Sequence, residues 1–175
     1  MAVVRVTEIP YKEEAVTKIK QAKEQAIAIA RDLLEKCKIE TIEENKVVRD
    51  ALPYDLGVNG TDINSPGTWV KDLSAGWNTV MDLTCPDDKV YVIYGLRIKA
   101  PGAAKYLRIR KFQDVVAVYK IENYDRETGY LPIPILPVRP KERLIFDVYA
   151  SENTTVDIEI LAVVGERLGV TITKA

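Results

Sequence analysis

Two periodicities divide this chain. Between Tyr11 and Lys38 the apolar positions Ala15, Ile19, Ala22, Ala26, Ile29 and Leu33 recur at spacings of four, three, four, three and four. That pattern keeps them on one face of a helix. Lys18, Lys20, Lys23, Glu24, Arg31, Asp32, Glu35 and Lys36 fill most of the remaining positions. Pro10 stands just ahead, Glu13 and Glu14 fall in the first turn, and Lys36 and Lys38 fall in the last, a polarity that suits the helix dipole. After Trp69 the period changes to two. Alternation then predicts strands over residues 77–83, 89–100, 104–112, 114–124, 129–136, 143–150, 154–164 and 169–174, separated by turn segments such as CPDD, PGA, DRETG, RPKE and SEN. Eight short strands without helix-length gaps exclude βαβ units. They predict a mainly β protein: an antiparallel sandwich of jelly-roll or Greek-key type behind a long amphipathic N-terminal α-helix.

The stretch DALPYDLGVNGTDINSPGT, residues 50–68, is dense in Pro, Gly, Asn and Asp and reads as a linker with several turns. The expected organisation is therefore a helical arm at 1–49, a linker at 50–68 and a β-sandwich at 69–175. Alanine at three stripe positions of the helix lets another backbone come close. The stripe covers fewer than three heptads, too few for a free-standing coiled coil. Docking on the body of its own chain and docking on a partner helix both remain open.

The segment GYLPIPILPVRPKERL, residues 129–144, alternates like a strand yet is rich in proline. Successive amides of a strand point to opposite edges, so Pro132 and Pro134 remove donors along one edge only. Leu131, Ile133 and Ile135 keep theirs on the other. This predicts a strand at a sheet margin with its proline edge unpaired, either as protection against unwanted pairing or as a boundary that meets another subunit through side chains.

Composition narrows the chemistry. The 175 residues are 47% hydrophobic and 29% charged, a globular balance for one domain with an appendage, and the formal net charge is −1. That charge gives no global pull toward nucleic acid or anionic membrane. No basic-then-apolar leader and no run of membrane-span length is visible, so a soluble protein of a virion or the cytoplasm is expected. Histidine is absent, which removes His-based acid–base catalysis, Ser-His-Asp triads and imidazole metal sites. The scarcity of Gln and Cys beside abundant Lys, Glu, Ile and Val resembles the usage of thermophile proteins. Cys37 and Cys85 form no CxxC pattern and read as two free thiols or as one disulfide. No cofactor and no metal is implied.

Candidate binding residues lie on the strands. In KYLRIRKF, Tyr106, Arg108 and Arg110 share one face, with Leu107 and Ile109 on the other. A basic, tyrosine-bearing face can track a phosphate backbone. With a near-neutral chain and no RNA-binding signature, the expectation is instead a solvated face or one meeting acidic residues of another subunit. Trp69, Trp77, Tyr91 and Tyr94 are candidates for an aromatic sugar platform. Asp87, Asp88, Asp125 and Glu127, like Asn59 and Asn153 of the two N-x-T sequons, fall in turns and read as turn formers. No phosphate loop, GxSxG elbow or HExxH occurs, so an enzyme is not expected.

From LPIPILPVRPKERLIFDVYASENTTVDIEILAVVGERLG onward, the chain resembles small jelly-roll structural proteins of viruses and phages. The resemblance lies in layout: a proline-bounded turn, LIFDVYAS, a polar tip, then DIEILAVVG. It implies a non-enzymatic virion component, capsid or spike base, that assembles with copies of itself or with other structural subunits. The helix would be an assembly arm and the source a thermophilic archaeal virus or similar. It transfers no catalytic or binding residue. Expected interface residues are Ala15, Ile19, Ala22, Ala26, Ile29, Leu33, Pro132 and Pro134; expected ligand-binding residues are Trp69, Trp77, Arg108 and Arg110. Alternatives are a carbohydrate- or receptor-binding module and, lacking the alanine-to-GVL signature, a small heat-shock-type chaperone.

Overall fold

The computed structural model describes residues 2–37, 39 and 46–167, with side chains described from residue 16 onward. One helix, α1 (Ala2–Lys36), precedes nine strands: β1 (Lys46–Asp50), β2 (Val70–Leu73), β3 (Gly76–Thr84), β4 (Lys89–Ala100), β5 (Ala104–Lys111), β6 (Asp114–Lys120), β7 (Tyr130–Val138), β8 (Arg143–Ala150) and β9 (Thr154–Arg167). The first sheet runs β1-β9-β4-β7, with β2 also on β9; the second runs β3-β8-β5-β6. Every pairing is antiparallel. The protein is thus mainly β, with two antiparallel sheets and an N-terminal helix. The expected strand at 169–174 lies outside the described residues.

Two strands escape the alternation pattern. KVVRD and VKDL are too short, and too near turn-forming residues, to show a period of two on their own. Both exist because the 14-residue β9 offers them an edge: β1 pairs near its C-terminal end and β2 near its N-terminal end. The sandwich therefore starts before residue 69, and the helical arm ends before residue 46. Within 50–68, residues 53–56 form a 3-10 turn closed by Gly57 at φ 69°, a left-handed conformation glycine adopts without a Cβ penalty.

Between the sheets, Tyr91, Ile93, Leu96, Leu107, Ile109, Phe146 and Val148 are among the buried side chains of one core. A second core lies on the opposite face of the first sheet, where Ala26, Ala30, Leu33 and Leu34 of α1 meet Val90, Val92, Tyr94, Tyr130, Leu161 and Val163. The molecule therefore has three layers, and α1 docks on its own chain. This explains why β4 is buried at every position from Val90 to Leu96: the helix covers the face that alternation would have left to water.

The docked face differs from the expected stripe. Ala26 and Leu33 are buried, Ile19, Ala22 and Ile29 are half-buried, and Ala15 has no described side chain. Ala30 and Leu34, off the stripe, are 0% exposed. The spacings from Ala15 to Leu33 add up to five full turns, so the stripe runs straight along the helix; the sheet meets a face turned from it toward Ala30 and Leu34. The helix also begins at Ala2 and carries Pro10 inside. Proline there lacks one amide donor, although its φ is helical. Close approach is helped by Gly165 of β9, where a Cβ would stand 2.8 Å from Val90 Cγ2 and 3.4 Å from the Ala30 carbonyl oxygen.

Among the described residues the proline strand β7 pairs with β4 alone and ends the first sheet. The Ile98 amide donates to the Gly129 carbonyl at 2.7 Å, while the Tyr130 carbonyl accepts from Asp125 on the other side at 2.8 Å. Alternation from Tyr130 aims residue 132 away from β4, and Pro134 lies where β7 bulges out of register between the Gly95–Pro132 and Ile93–Leu136 pairs. Pro132 and Pro134 are exposed. The expected margin position holds.

Candidate functional site

Because α1 lies on the first sheet, the outer face of the second sheet is turned to solvent, and antiparallel register builds two rows across it. One row is Trp77, Tyr149, Tyr106 and Lys120 on β3, β8, β5 and β6; the next is Thr79, Asp147, Arg108 and Val118. Cross-strand neighbours on one face stand close enough for their side chains to touch.

Asp147 is the anchor. Its residue is 1% exposed. Oδ2 accepts from Arg108 Nε at 2.9 Å and Arg110 Nε at 2.7 Å, and Oδ1 from Thr79 Oγ1 at 2.8 Å and Arg110 Nη2 at 3.1 Å. Burial alone would push this carboxyl up, but the hydrogen bonds from Arg110, Thr79 and Arg108 outweigh it and hold Asp147 below the usual carboxylate range. It therefore stays ionised. One carboxylate against two guanidiniums leaves a formal positive charge on a rigid patch.

Arg108 also reaches the aromatic row. The Arg108 guanidinium lies 4.2 Å from the Trp77 ring centroid, a cation–π contact. Tyr149 meets Trp77 edge-on at 5.4 Å, and Tyr106 lies 6.2 Å from Tyr149. Trp77 and Tyr106 nevertheless remain 43% and 40% exposed. Farther along the face, Arg143 holds Asp82 with two hydrogen bonds of 2.8 and 2.6 Å. The patch is flat, aromatic and cationic, and its side chains are held before anything binds. Such an arrangement supplies stacking area and oriented donors at low ordering cost.

Trp77, Arg108 and Arg110 thus converge, as their strand alternation allows. Trp69 does not join them: it packs half-buried against the inter-sheet core. Tyr91 is buried in that core and Tyr94 beneath α1, so the four-residue aromatic platform is dispersed. Asp147, Thr79 and Tyr149 went unread as site residues. The alternation of LIFDVYA places Asp147 and Tyr149 on one face, but only the β5–β8 pairing sets that face beside the arginines.

A second charged cluster is structural. Arg49 bonds Asp55 and Glu166, Lys89 approaches Glu166 Oε2 at 3.6 Å, and Asp55 also accepts from the Leu52 amide at 2.8 Å. It ties the linker to β1, β4 and β9. The turn residues act as turn formers: Asn59 bonds both the amide and carbonyl of Thr68, Asn153 accepts from the Ala75 amide, and Asp125 accepts from Glu127 and Thr128. Cys37 and Cys85 are free thiols. Among the described residues there is no metal-ligand cluster and no helix long and apolar enough to cross a membrane.

No family model matches the chain, and comparisons with characterised proteins and with solved structures give no match either.

Proposed function

We propose that this chain is a non-enzymatic structural subunit that works by assembling with copies of itself or with partner subunits, in the manner of capsid-type virion proteins. The observation that carries the reading is the pair of exposed rings Trp77 and Tyr106 on the outer face of the second sheet, with half-buried Arg108 of the adjacent row held against Trp77 and Asp147. Trp, Tyr and Arg are the residues that dominate binding energy between proteins, and they do so best when held before contact. Strand order adds support. With β1 and β2 taken as sharing the first position, the orders β1/β2-β9-β4-β7 and β3-β8-β5-β6 support a jelly-roll reading, the sandwich of many capsid subunits. Fold alone does not carry function; here it agrees with the surface. The thermophile-like composition, taken with the resemblance to capsid-type jelly rolls, favours a virus of a thermophilic host as the origin.

Size-exclusion chromatography with light scattering tests this. Concentration-dependent oligomers are expected, and a strict monomer at every concentration, without a partner in the source particle, overturns it. A second reading rests on the same exposed rings: Trp77 and Tyr106 as a stacking surface for a sugar in host attachment. A glycan array in which binding disappears with Trp77→Ala supports it, and an array without hits removes it.

A further inference from the structure

β1 and β2 do not meet along the edge of β9. Asp50 of β1 pairs with Val163, and Val70 of β2 pairs with Asp157. Between these two pairs the chain leaves β9 after Ala51, whose amide donates to the Ala162 carbonyl at 2.9 Å. Residues two apart on a strand turn their main-chain groups to the same edge, so the Ile160 amide and carbonyl face this notch. A cleft of about 350 Å³ results, bounded by α1 at Ile19 and Lys23, by the linker at Leu52 and Trp69, and by β4 and β9. That volume lies within the range of small-molecule sites.

Charge in the cleft is balanced except at one place. Lys23 pairs with Asp50 at 2.9 Å, and Glu159 pairs with Lys99, outside the lining, at 3.7 Å. Arg97 stands opposite Glu159 in the β4–β9 register. Among the described residues it makes no hydrogen bond and no ion pair, and its Nε is sealed from solvent without a partner. Buried donors are nearly always satisfied, so an orphaned one calls for an acceptor that the chain itself does not supply. The planar fork of a guanidinium matches a carboxylate. Beside Arg97 the lining is apolar and aromatic, with Ile19, Trp69 and Tyr94.

We propose that this cleft binds a small organic carboxylate with an apolar body, an aromatic or short-chain monocarboxylic acid. Its carboxylate is held by the Arg97 guanidinium, and its body lies among Ile19, Trp69 and Tyr94. The Ile160 amide is a further donor in the same notch. A single acid group fits because a single positive charge is left over; a second carboxylate would fall beside Asp50 or Glu159 and be repelled. The site is built on α1 and the first sheet, so it is independent of the assembly reading above.

Calorimetric titration of the full chain with sodium phenylacetate and sodium hexanoate tests this, with acetate and phenylacetamide as controls. At least one of the two acids should saturate a single site at or below about 10 mM, the range its size allows. Acetate lacks the body and phenylacetamide lacks the charge, so each should bind at least about tenfold more weakly than the better acid. Arg97→Gln should bring that acid down to the level of its controls. Arg97→Lys keeps the charge without the fork and should fall between. Circular dichroism checks that both variants fold. If either does not, the Arg97 Nε–Hε resonance of the wild-type chain decides, and it should shift along the calorimetric binding curve. With Trp77→Phe, Trp69 is the remaining indole, and its fluorescence should change with the same midpoint. The proposal is overturned if neither acid saturates, if phenylacetamide binds as well as the acids, or if Arg97→Gln leaves binding within twofold of wild type. A resonance of Arg97 that stays in place while ligand binds overturns it as well.

Discussion

Arg49 and Asp55 meet as a two-pronged pair, Nη1 to Oδ2 at 2.8 Å and Nη2 to Oδ1 at 2.7 Å, with Asp55 only 6% exposed. Burial alone would lower the pKa of the guanidinium, but hydrogen bonds to Asp55 and Glu166 outweigh it and raise it further; a guanidinium stays protonated in any protein setting, so Arg49 keeps its charge when a partner is lost. Asp55→Ala leaves that charge half-matched in a dry site and is expected to cost about 3–5 kcal/mol. Urea unfolding with an unchanged slope and a lower midpoint checks it. Replacing both residues by apolar ones of similar volume should recover most of the loss.

The helix contact is tested at Gly165. A Cβ there meets Val90, the Ala30 carbonyl and Leu34, so Gly165→Ala should destabilise by about 1–3 kcal/mol through overpacking. Leu34→Ala, at a position 0% exposed, should cost about 2–5 kcal/mol through a cavity. In the double variant the losses should sum to less than their total, because the second change makes room for the first. Thermal unfolding of the three variants measures this.

Asp147 sets a pH dependence. Its folded pKa lies below the ordinary carboxylate value, so its stabilisation is complete above that ordinary value and is lost as pH falls through the depressed one. Asp147→Asn keeps the shape, removes the charge and should cost about 1.5–3 kcal/mol near neutral pH. The gap between wild type and variant should close as pH drops from about 5 to about 2. A gap that stays constant over that range contradicts this assignment.

The two thiols should separate by environment. Burial pushes Cys85 up to about 12, so a thiol reagent near pH 8 finds almost no thiolate there. Half-buried Cys37 is expected to label in the native protein and Cys85 only after unfolding, as peptide mass mapping will show.

The proline edge is open to a direct trial. Replacing Pro132 and Pro134 by Val restores two amide donors on β7. The double variant should keep its secondary structure and form strand-paired aggregates that the wild type does not. Dynamic light scattering with circular dichroism follows both properties.

How much was legible differs by element. The strands from β3 to β9 follow from alternation, because each alternates over enough residues for the period to appear. The edge character of β7 follows from Pro132 and Pro134, since a missing amide is a covalent property that no tertiary context can restore. The candidate site was half visible: Trp77, Arg108 and Arg110 stood out by type and by face, but Asp147 did not. Its role is set by β8 lying between β3 and β5, and the β5–β8 pairing sets Arg108 beside Asp147, 39 positions along the chain.

By itself the sequence determined what depends on local period and covalent chemistry: a helix, a run of strands, a proline-blocked margin and a chain without imidazole. Only the tertiary structure decided which helical face is buried, that β1 and β2 join β9, that Trp69 and Trp77 part company, and that Asp147 comes to lie between Thr79 and Arg108. Each of those depends on which distant segments pair, and a pairing free energy is shared between two stretches of chain, so neither stretch carries it alone.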